Sequence, residues 1–192
     1  MAESTGDKKF EKKTAEQRVG SMSVPQITPL ENVDEYVKEF ENYSKASAKI
    51  ENDYRTIKMV QSNLMTVRER IVESLPDLQN NLKMLEVLKD RQDNDKSFST
   101  SFLLSDQVYT DARVKKVQGV YLWLGAGIMA EFPIVKATEF IKEKIAELTT
   151  KASDLGEELD IIKQRLTTCE VNMANVYNYG VRMRQQLPVE AK

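Results

Sequence analysis

Apolar side chains recur at seven-residue intervals along the first long stretch of the chain. With Tyr36 placed at the d position of a heptad, every later d position up to Leu85 is apolar or aromatic. The d positions are Tyr36, Tyr43, Ile50, Ile57, Leu64, Ile71, Leu78 and Leu85, and the matching a positions are Phe40, Ser47, Tyr54, Gln61, Arg68, Leu75 and Leu82. A heptad repeat this long predicts a coiled-coil helix over residues 29–95. We expect Pro76 to kink it, because proline removes one helical hydrogen bond.

A second heptad repeat, near the C-terminus, is more regular than the first. Its d positions are Ile141, Leu148, Leu155, Ile162, Cys169, Val176 and Met183, and its a positions are Ile145, Ala152, Leu159, Leu166, Met173 and Gly180. Only Gly180 departs from the apolar pattern. The repeat predicts a second coiled-coil helix over residues 134–186. Two long helices around a short connection are expected to fold back on each other as an antiparallel hairpin.

The connection between the helices, residues 96–133, has a strand-like composition rich in Val, Leu, Tyr, Phe and Thr. Residues 108–114 alternate apolar and polar side chains, whereas residues 120–124 are apolar on both faces and are expected to be covered on both sides. Residues 115–119 are expected to form the turn between these two strands. The segment has room for four short strands in two hairpins, and its exposed strand edges predict oligomerisation through residues 98–132.

Together these patterns predict a mainly α fold, in which a long antiparallel coiled-coil hairpin carries two small β-hairpins between its helices. Residues 1–28 are polar and lack periodicity. We therefore expect a flexible N-terminal tail, because such a segment buries too little apolar surface to offset the entropy of ordering it. Residues 187–192 are expected to form a short C-terminal tail.

Composition narrows the chemistry that the chain can perform. It has 192 residues, no histidine and a single cysteine, Cys169. These counts exclude Ser-His and Cys-His catalytic pairs, imidazole metal ligands, an intramolecular disulfide and a zinc site built from cysteines. We therefore expect no cofactor, no metal ion and no enzymatic activity. Cys169 lies at a d position and is interpreted as a buried apolar side chain rather than a reactive thiol.

Charge and hydropathy indicate the compartment and argue against two classes of partner. Lys and Arg total 28, Asp and Glu total 30, and the net charge is −2, which gives no reason to expect nucleic acid as a partner. The longest apolar run, residues 120–130, is too short for a membrane span, which needs about 20 residues. Because the first residues lack a signal-peptide pattern and cysteine is scarce, we expect a soluble protein of the cytoplasm, with the nucleus as a second location.

One motif is similar to a nucleotide-binding fingerprint. Gly125-Ala126-Gly127-Ile128-Met129-Ala130 follows the strand-like residues 120–124 and fits the spacing G-x-G-x-x-A. That fingerprint needs a helix directly after the glycines, and Pro133 would interrupt such a helix. We therefore favour a turn or bulge in a small sheet over a nucleotide-binding enzyme.

Aromatic and apolar residues are concentrated where the two predicted helices would meet at the free end of the hairpin. We call these the tip residues: Val33, Tyr36, Val37, Phe40, Tyr43, Val176, Tyr177, Tyr179 and Met183. Such side chains suit an adaptable apolar surface that binds an unfolded protein, here called a client. Ordinary packing of a coiled coil explains them equally well from the sequence alone.

Three motifs, set in the order helix, β-hairpins, helix, resemble the prefoldin family and within it the α-class subunits. They are Phe102-Leu103-Leu104-Ser105-Asp106, Val120-Tyr121-Leu122-Trp123-Leu124-Gly125-Ala126 and Glu170-Val171-Asn172-Met173-Ala174-Asn175-Val176-Tyr177-Asn178. The middle motif is the most specific, because a heptad repeat does not generate its tryptophan. The resemblance covers residues 31–183.

The resemblance implies a subunit of a heterohexamer with two α-class and four β-class chains, whose strands form a double β-barrel from which six coiled coils project. Their tips would hold unfolded actin and tubulin and deliver them to the cytosolic group II chaperonin without ATP. Contact with the other prefoldin subunits would fall on a set that we call the assembly residues. These are Phe102, Leu103, Leu104, Val108, Tyr109, Val120, Leu122, Trp123 and Leu124. The alternative is a structural coiled-coil scaffold or tether that binds no client.

Overall fold

The structure is a computed structural model that describes residues 13–40 and 42–186. Its elements are α1 (Ala15–Gly20), α2 (Val33–Glu39), α3 (Tyr43–Asp93), β1 (Phe98–Ser105), β2 (Val108–Val114), β3 (Val120–Gly125), β4 (Ile128–Phe132) and α4 (Ile134–Gln186). The chain divides into two compact units. The terminal unit contains residues up to 68 and from 153 onward, and the sheet unit contains residues 69–152. In the part of the chain that the structure describes, no helix is long and apolar enough to cross a membrane.

Within the terminal unit, α3 and α4 pair antiparallel. Tyr43, at the start of α3, contacts Gly180 near the end of α4, while Arg68 lies beside Gly156 much earlier in α4. The seam between the helices buries the heptad positions that the sequence predicted. Buried d positions are Ile50, Ile57 and Leu64 on α3 and Leu155, Ile162, Cys169 and Val176 on α4. The predicted pairing of two long helices is therefore confirmed.

The sheet unit has its own core, built where the end of α3 and the start of α4 meet the strands. Five buried residues form it: Leu85, Val117, Ile134, Ala137 and Ile141. Partly buried side chains pack around them: Leu82, Leu88, Phe98, Val114, Val120, Leu122, Phe132 and Ile145. α3 continues through Pro76 without ending there. The predicted kink at that proline stays a prediction.

The four strands form two separate antiparallel hairpins, as predicted, with β1 paired to β2 and β3 paired to β4. Residues 115–119 were expected to close a hairpin between β2 and β3, and that expectation is wrong. These residues instead connect the two hairpins, and Val117 is buried in the core between the strands that flank it. Val117 is apolar and is more stable in the core than at the exposed end of a hairpin. This is why residues 115–119 do not form a hairpin turn.

The G-x-G-x-x-A motif forms the turn that joins β3 to β4. Gly125, Ala126 and Gly127 all have positive φ angles, of 101°, 49° and 76°. Glycine adopts such angles without the steric cost that a side chain brings. A strand follows the glycines where a dinucleotide-binding site needs a helix. The interpretation of the motif as a turn is confirmed.

The structure differs from the predicted flexible tail over residues 13–28. Thr14 caps α1 through a reciprocal capping box with Gln17. Val19 and Val24 are buried, and Arg18 forms ion pairs with α4. A few apolar and charged anchors thus hold a segment whose average composition is polar. Residues 1–12 and the predicted C-terminal tail, residues 187–192, lie outside the described residues.

The first long helix was predicted over residues 29–95 and is instead interrupted between α2 and α3. Phe40 leaves the helical conformation at the end of α2, and the Asn42 side chain accepts a hydrogen bond from the Ser44 N–H, 3.2 Å away, at the start of α3. Tyr36 and Ile50 line the same cavity. In one continuous helix those two residues would be about 21 Å apart. The chain therefore reverses here, and α2 packs back against the paired helices.

Candidate functional site

The terminal unit offers no reactive centre at its one thiol. Cys169 is fully buried, and its Sγ lies 3.7 Å from the carbonyl oxygen of Ile50. Burial raises the pKa of the Cys169 thiol, and the nearby charges of Asp53 and Glu170 raise it further. The thiol therefore stays protonated and is a poor nucleophile. Among the residues that the structure describes, no group of acidic or thiol side chains could hold a metal ion.

The two β-hairpins expose most of the predicted assembly residues. Seven of them are exposed: Phe102, Leu103, Leu104, Val108, Tyr109, Trp123 and Leu124. The side chain of Trp123 is 67% exposed. Val120 and Leu122 differ, because they are half-buried and pack against the core of the sheet unit. These two residues therefore stabilise this chain itself, and the opposite face of β3 is the one left open.

Three further exposed apolar residues lie on β3 and β4 and were missed by the sequence reasoning: Tyr121, Ile128 and Met129. The signal was present in the pairing of β3 with β4. Trp123 lies opposite Met129 in the register, and the Tyr121 hydroxyl donates to a carboxylate oxygen of Glu131, 3.3 Å away. Pairing β3 with β4, and not with β2 as the sequence analysis expected, would have placed Met129 opposite Trp123. We call the ten exposed apolar residues on both hairpins the hairpin surface.

The hairpin surface is unfavourable for an isolated chain. Only Phe98 and Val114, at the base of the first hairpin, pack against the core, and the rest of β1 is exposed. A two-stranded hairpin without further covering is marginally stable in water. Unpaired strand edges and exposed apolar side chains on each hairpin both favour contact with another chain. The arrangement is therefore typical of a surface that a partner covers.

The tip residues do not form one exposed patch. Val37 and Val176 are buried, and five others are half-buried: Val33, Tyr36, Phe40, Tyr43 and Tyr179. Only Tyr177 and Met183 are exposed, at 61% and 44%. The rings of Tyr36 and Phe40 lie 4.9 Å apart. Most of this aromatic cluster therefore packs inside the terminal unit, and α4 carries the part that faces solvent.

An open cavity of about 340 Å³ lies between α3 and α4 in the terminal unit. Ile50, Met173, Val176 and Tyr177 give it an apolar lining, and Glu51 and Glu170 add carboxylates. The Tyr54 hydroxyl donates to a Glu170 oxygen 3.3 Å away. The cavity adjoins the exposed ring of Tyr177, so an apolar side chain of another protein could enter it from solvent.

A second cavity, of about 230 Å³, lies beneath the N-terminal residues and α2. Ile27, Tyr36, Phe40, Cys169 and Asn172 are among its lining residues. Burial raises the pKa of the Tyr36 hydroxyl, and Asp53 and Glu39 add to the shift. α2 and the N-terminal residues thus cover a stretch of the α3–α4 seam that would otherwise face solvent.

Residues 13–30, which we call the N-terminal strap, follow α4 and hydrogen-bond to it at three levels. Arg18 donates to Glu158 and Glu157, Arg165 donates to the carbonyl oxygen of Pro25, and the amide of Asn172 contacts Thr28 and Leu30. The hydrogen bond with Glu158 is the largest of the contacts that raise the pKa of Arg18. Sequence reasoning missed the strap, although the spacing of Thr14 and Gln17 fits a capping box.

Gly180, the one residue outside the apolar pattern of the second repeat, makes room for Tyr43. A Cβ added at Gly180 would lie 2.5 Å from two carbon atoms of the Tyr43 ring. We predict that Gly180→Ala expels the ring and destabilises this end of the helix pair by about 1–3 kcal/mol, as overpacking does. Hydrogen exchange of amides near Tyr43 and Gly180, measured by mass spectrometry, reports this as faster exchange.

Gly156 provides the matched control, because it lies in the same helix and its added Cβ would meet only Arg68 Nε, at 3.8 Å. Gly156→Ala is expected to slow exchange, since alanine is favoured over glycine in a helix interior by about 0.5–1 kcal/mol. Equal effects of the two substitutions would show that Tyr43 does not depend on the space at Gly180.

Comparison with known proteins gives one consistent family. Residues 56–179 match the family model described as Prefoldin subunit. Prefoldin subunit 3 of Drosophila melanogaster is 34% identical over 164 residues, which cover 84% of this chain and 83% of the relative. Prefoldin subunit 3 of Homo sapiens is 31% identical over 167 residues, covering 86% and 85%. The Saccharomyces cerevisiae protein of the same name is 31% identical over 173 residues, covering 85% and 87%.

Proposed function

The chain belongs to the prefoldin family, and we propose that it holds unfolded actin and tubulin for the cytosolic group II chaperonin without using ATP. Family membership makes it a subunit of the prefoldin chaperone, a co-chaperone and not an enzyme. It also implies other prefoldin subunits as partners in a hexamer. We further propose that the strands of the hairpin surface join those of these partners in a shared β-barrel.

The observation that carries the client proposal is the apolar surface left open on α4 in the terminal unit. Tyr177 and Met183 are exposed there, and Tyr177 borders the open cavity lined by Ile50 and Met173. Unfolded proteins expose apolar side chains of varied size. Methionine and tyrosine suit such partners, because a flexible thioether and an amphipathic ring adapt to varied shapes.

Two features support an ATP-independent role in a reducing compartment. The one glycine-rich motif in the chain forms a hairpin turn at Gly125–Gly127, and the sequence contains no G-x-x-x-x-G-K-S/T motif to cradle phosphates. The single cysteine is typical of a cytosolic protein. We therefore propose a cytoplasmic location, where the group II chaperonin would receive the client.

The client proposal is tested with a hexamer reconstituted around this chain. Chemically unfolded actin is diluted into buffer with or without the complex, and light scattering records aggregation. We expect the complex to suppress aggregation equally with and without ATP. Tyr177→Ser combined with Met183→Ser should weaken client binding about fivefold. This is the loss expected when the two side chains together contribute about 1 kcal/mol to binding.

The matched control is Met59→Ser. Met59 is also a highly exposed apolar residue of the terminal unit, but it does not line the open cavity. It should bind the client like the unchanged chain. If the double variant also binds the client normally, α4 does not carry the contact. If the unchanged complex fails to suppress aggregation, the chain acts as the scaffold or tether that the buried tip residues would equally suit.

A further inference from the structure

The N-terminal strap is bound to α4 partly through its main chain. The Asn172 side-chain oxygen accepts from the Leu30 N–H at 3.0 Å, and its amide nitrogen donates to the Thr28 carbonyl oxygen at 2.8 Å. Arg165 donates to the carbonyl oxygen of Pro25 at 3.5 Å. All three strap atoms are present in every polypeptide except for the amide hydrogen of proline. A bound segment of almost any sequence could therefore make these contacts, because they do not depend on its side chains.

Residues 24–30 of the strap form neither helix nor turn, and the order of the contacts shows that the strap runs in the same direction as α4. Arg165 and Asn172 are seven residues apart in a helix, which corresponds to about 10.5 Å. Their strap partners Pro25 and Thr28 are three residues apart, and three extended residues span about 10 Å. The two spacings match. An extended chain of another protein would meet the same two side chains at the same interval.

We call the surface of α4 that the strap covers the groove. The end of the groove at which Arg18 lies favours positive charge. Glu158 is only 4% exposed, and one of its carboxylate oxygens, Oε2, has no hydrogen-bond partner. Asp154 and Glu157 lie beside it, and the guanidinium of Arg18 contacts all three carboxylates. A buried carboxylate is costly without a cation nearby. Arg18 lies on the short helix α1, ahead of the part of the strap that follows α4 at Arg165 and Asn172. The groove therefore fits a segment that carries a basic residue ahead of its extended part.

We propose that this groove on α4 binds extended segments of unfolded polypeptide that carry a basic residue followed by apolar residues. The strap is its internal occupant, and a client segment replaces the strap when it binds. This inference rests on the proposed client function. It identifies a second client contact in addition to the open cavity. Strap residues Val19 and Val24 are buried, as the apolar residues of a client segment would be.

Exchange between strap and client has a measurable consequence. An internal occupant lowers the apparent affinity for a client in proportion to the fraction of time that the groove is open. Weakening the strap should therefore tighten client binding. A strap that only stabilises the fold would have the opposite effect, or none, when it is weakened.

Cys169 reports strap opening, because it is the only cysteine of the chain and lines the cavity beneath the strap and α2. The test uses the reconstituted hexamer with the full-length chain. Its probe is a reduced, carboxymethylated polypeptide that cannot fold, labelled with a fluorophore. Affinity for this probe is measured by fluorescence anisotropy, and alkylation of Cys169 by a maleimide is followed by mass spectrometry.

Two strap variants, Arg18→Ala and Val19→Ser, should each bind the probe about threefold or more tightly than the unchanged chain. Both should also speed alkylation of Cys169. Arg55→Ala is the control, because Arg55 is exposed and pairs only loosely with Glu51, at 3.8 Å. It should change neither measurement. Adding Asn172→Ala to Val19→Ser should weaken probe binding relative to Val19→Ser alone, since the groove loses its main-chain contact.

Faster alkylation of Cys169 with unchanged or weaker probe binding in both strap variants would overturn the inference and leave the strap a structural element. Unchanged alkylation would overturn it too, because the strap would then not shield the seam. Failure of the unchanged complex to bind the probe would instead refute the proposed client function. The two proposals therefore fail in distinguishable ways.

Discussion

A chain carrying both Leu104→Asp and Trp123→Asp should fail to enter the prefoldin hexamer. The two side chains are 66% and 67% exposed in this chain, so replacing them leaves its own core intact. At an interface they would be covered, and an unpaired carboxylate in an apolar interface costs several kcal/mol. We expect the affinity for the other subunits to fall by about 100-fold or more. Size-exclusion chromatography of the coexpressed subunits would show this chain outside the complex.

The control for this prediction is Val87→Asp, an apolar-to-acidic change on α3 of the same unit. Val87 is 53% exposed and lies outside the hairpin surface. It should enter the complex normally. Leu122→Ser is less informative, because Leu122 packs on the core of the sheet unit and its loss would unfold the unit as well as weaken contact. Normal assembly of the double aspartate variant would show that the hairpin surface is not the subunit contact.

The second large effect is expected for Ile162→Ala in the seam of the terminal unit. Ile162 is fully buried at a d position of α4, and removing three carbons there leaves a cavity as well as losing apolar burial. Such substitutions cost about 2–4 kcal/mol. Because local opening governs amide exchange, the protection of the surrounding α4 amides should fall by about 30-fold or more. Hydrogen exchange of the assembled hexamer, measured by mass spectrometry, gives this ratio directly.

Ile161→Ala is the matched control, since it makes the same change one residue earlier. Ile161 is only half-buried, so a cavity left there is open to solvent and its transfer term is smaller. We expect protection to fall by less than about tenfold. Similar losses at Ile161 and Ile162 would contradict the assignment of the seam to the heptad d positions.

The seam and the strands could be predicted because each rests on a repeated local pattern. Every d position from Ile50 to Ile71 on α3 is buried, as the repeat required, because a heptad leaves one face of a helix to pack. The four strands followed from strand-like composition and length, and the turn or bulge from Gly125 and Gly127, whereas the expected turn at residues 115–119 was wrong. In both cases neighbouring residues in sequence determine the structure, so the sequence carries enough information.

The reversal before α3 and the strap could not be predicted from the same pattern. The spacing of Tyr36, Tyr43 and Ile50 fits a continuous heptad, yet Tyr36 and Ile50 line the same cavity. Contacts across the fold decide that position, including burial of Val37 and the capping of α3 by Asn42. Likewise, the strap depends on Glu158 and Asn172, more than 130 residues away along the chain. The polar average composition of residues 13–28 gives no sign of these long-range contacts.

The hairpin surface and the tip residues also differ in how far the sequence could predict them. Seven of the ten residues of the hairpin surface were named from the sequence, because the resemblance to prefoldin rests on motifs in these strands, of which the one with Trp123 is the most specific. Of the tip residues, only Tyr177 and Met183 are exposed, since α2 packs its aromatic side chains inward. Side-chain chemistry alone marked the whole cluster as apolar. Which members face solvent depends on the reversal at Asn42, which the heptad frame did not contain.

Membership of a prefoldin hexamer is tested most directly by the native mass of the complex that this chain forms in its own cells. The chain is purified through a tag, and native mass spectrometry records the intact assembly and its dissociated subunits. We expect a six-chain assembly in which the other chains are prefoldin subunits. Recovery of the 22.0 kDa chain alone, or only with copies of itself, would contradict it.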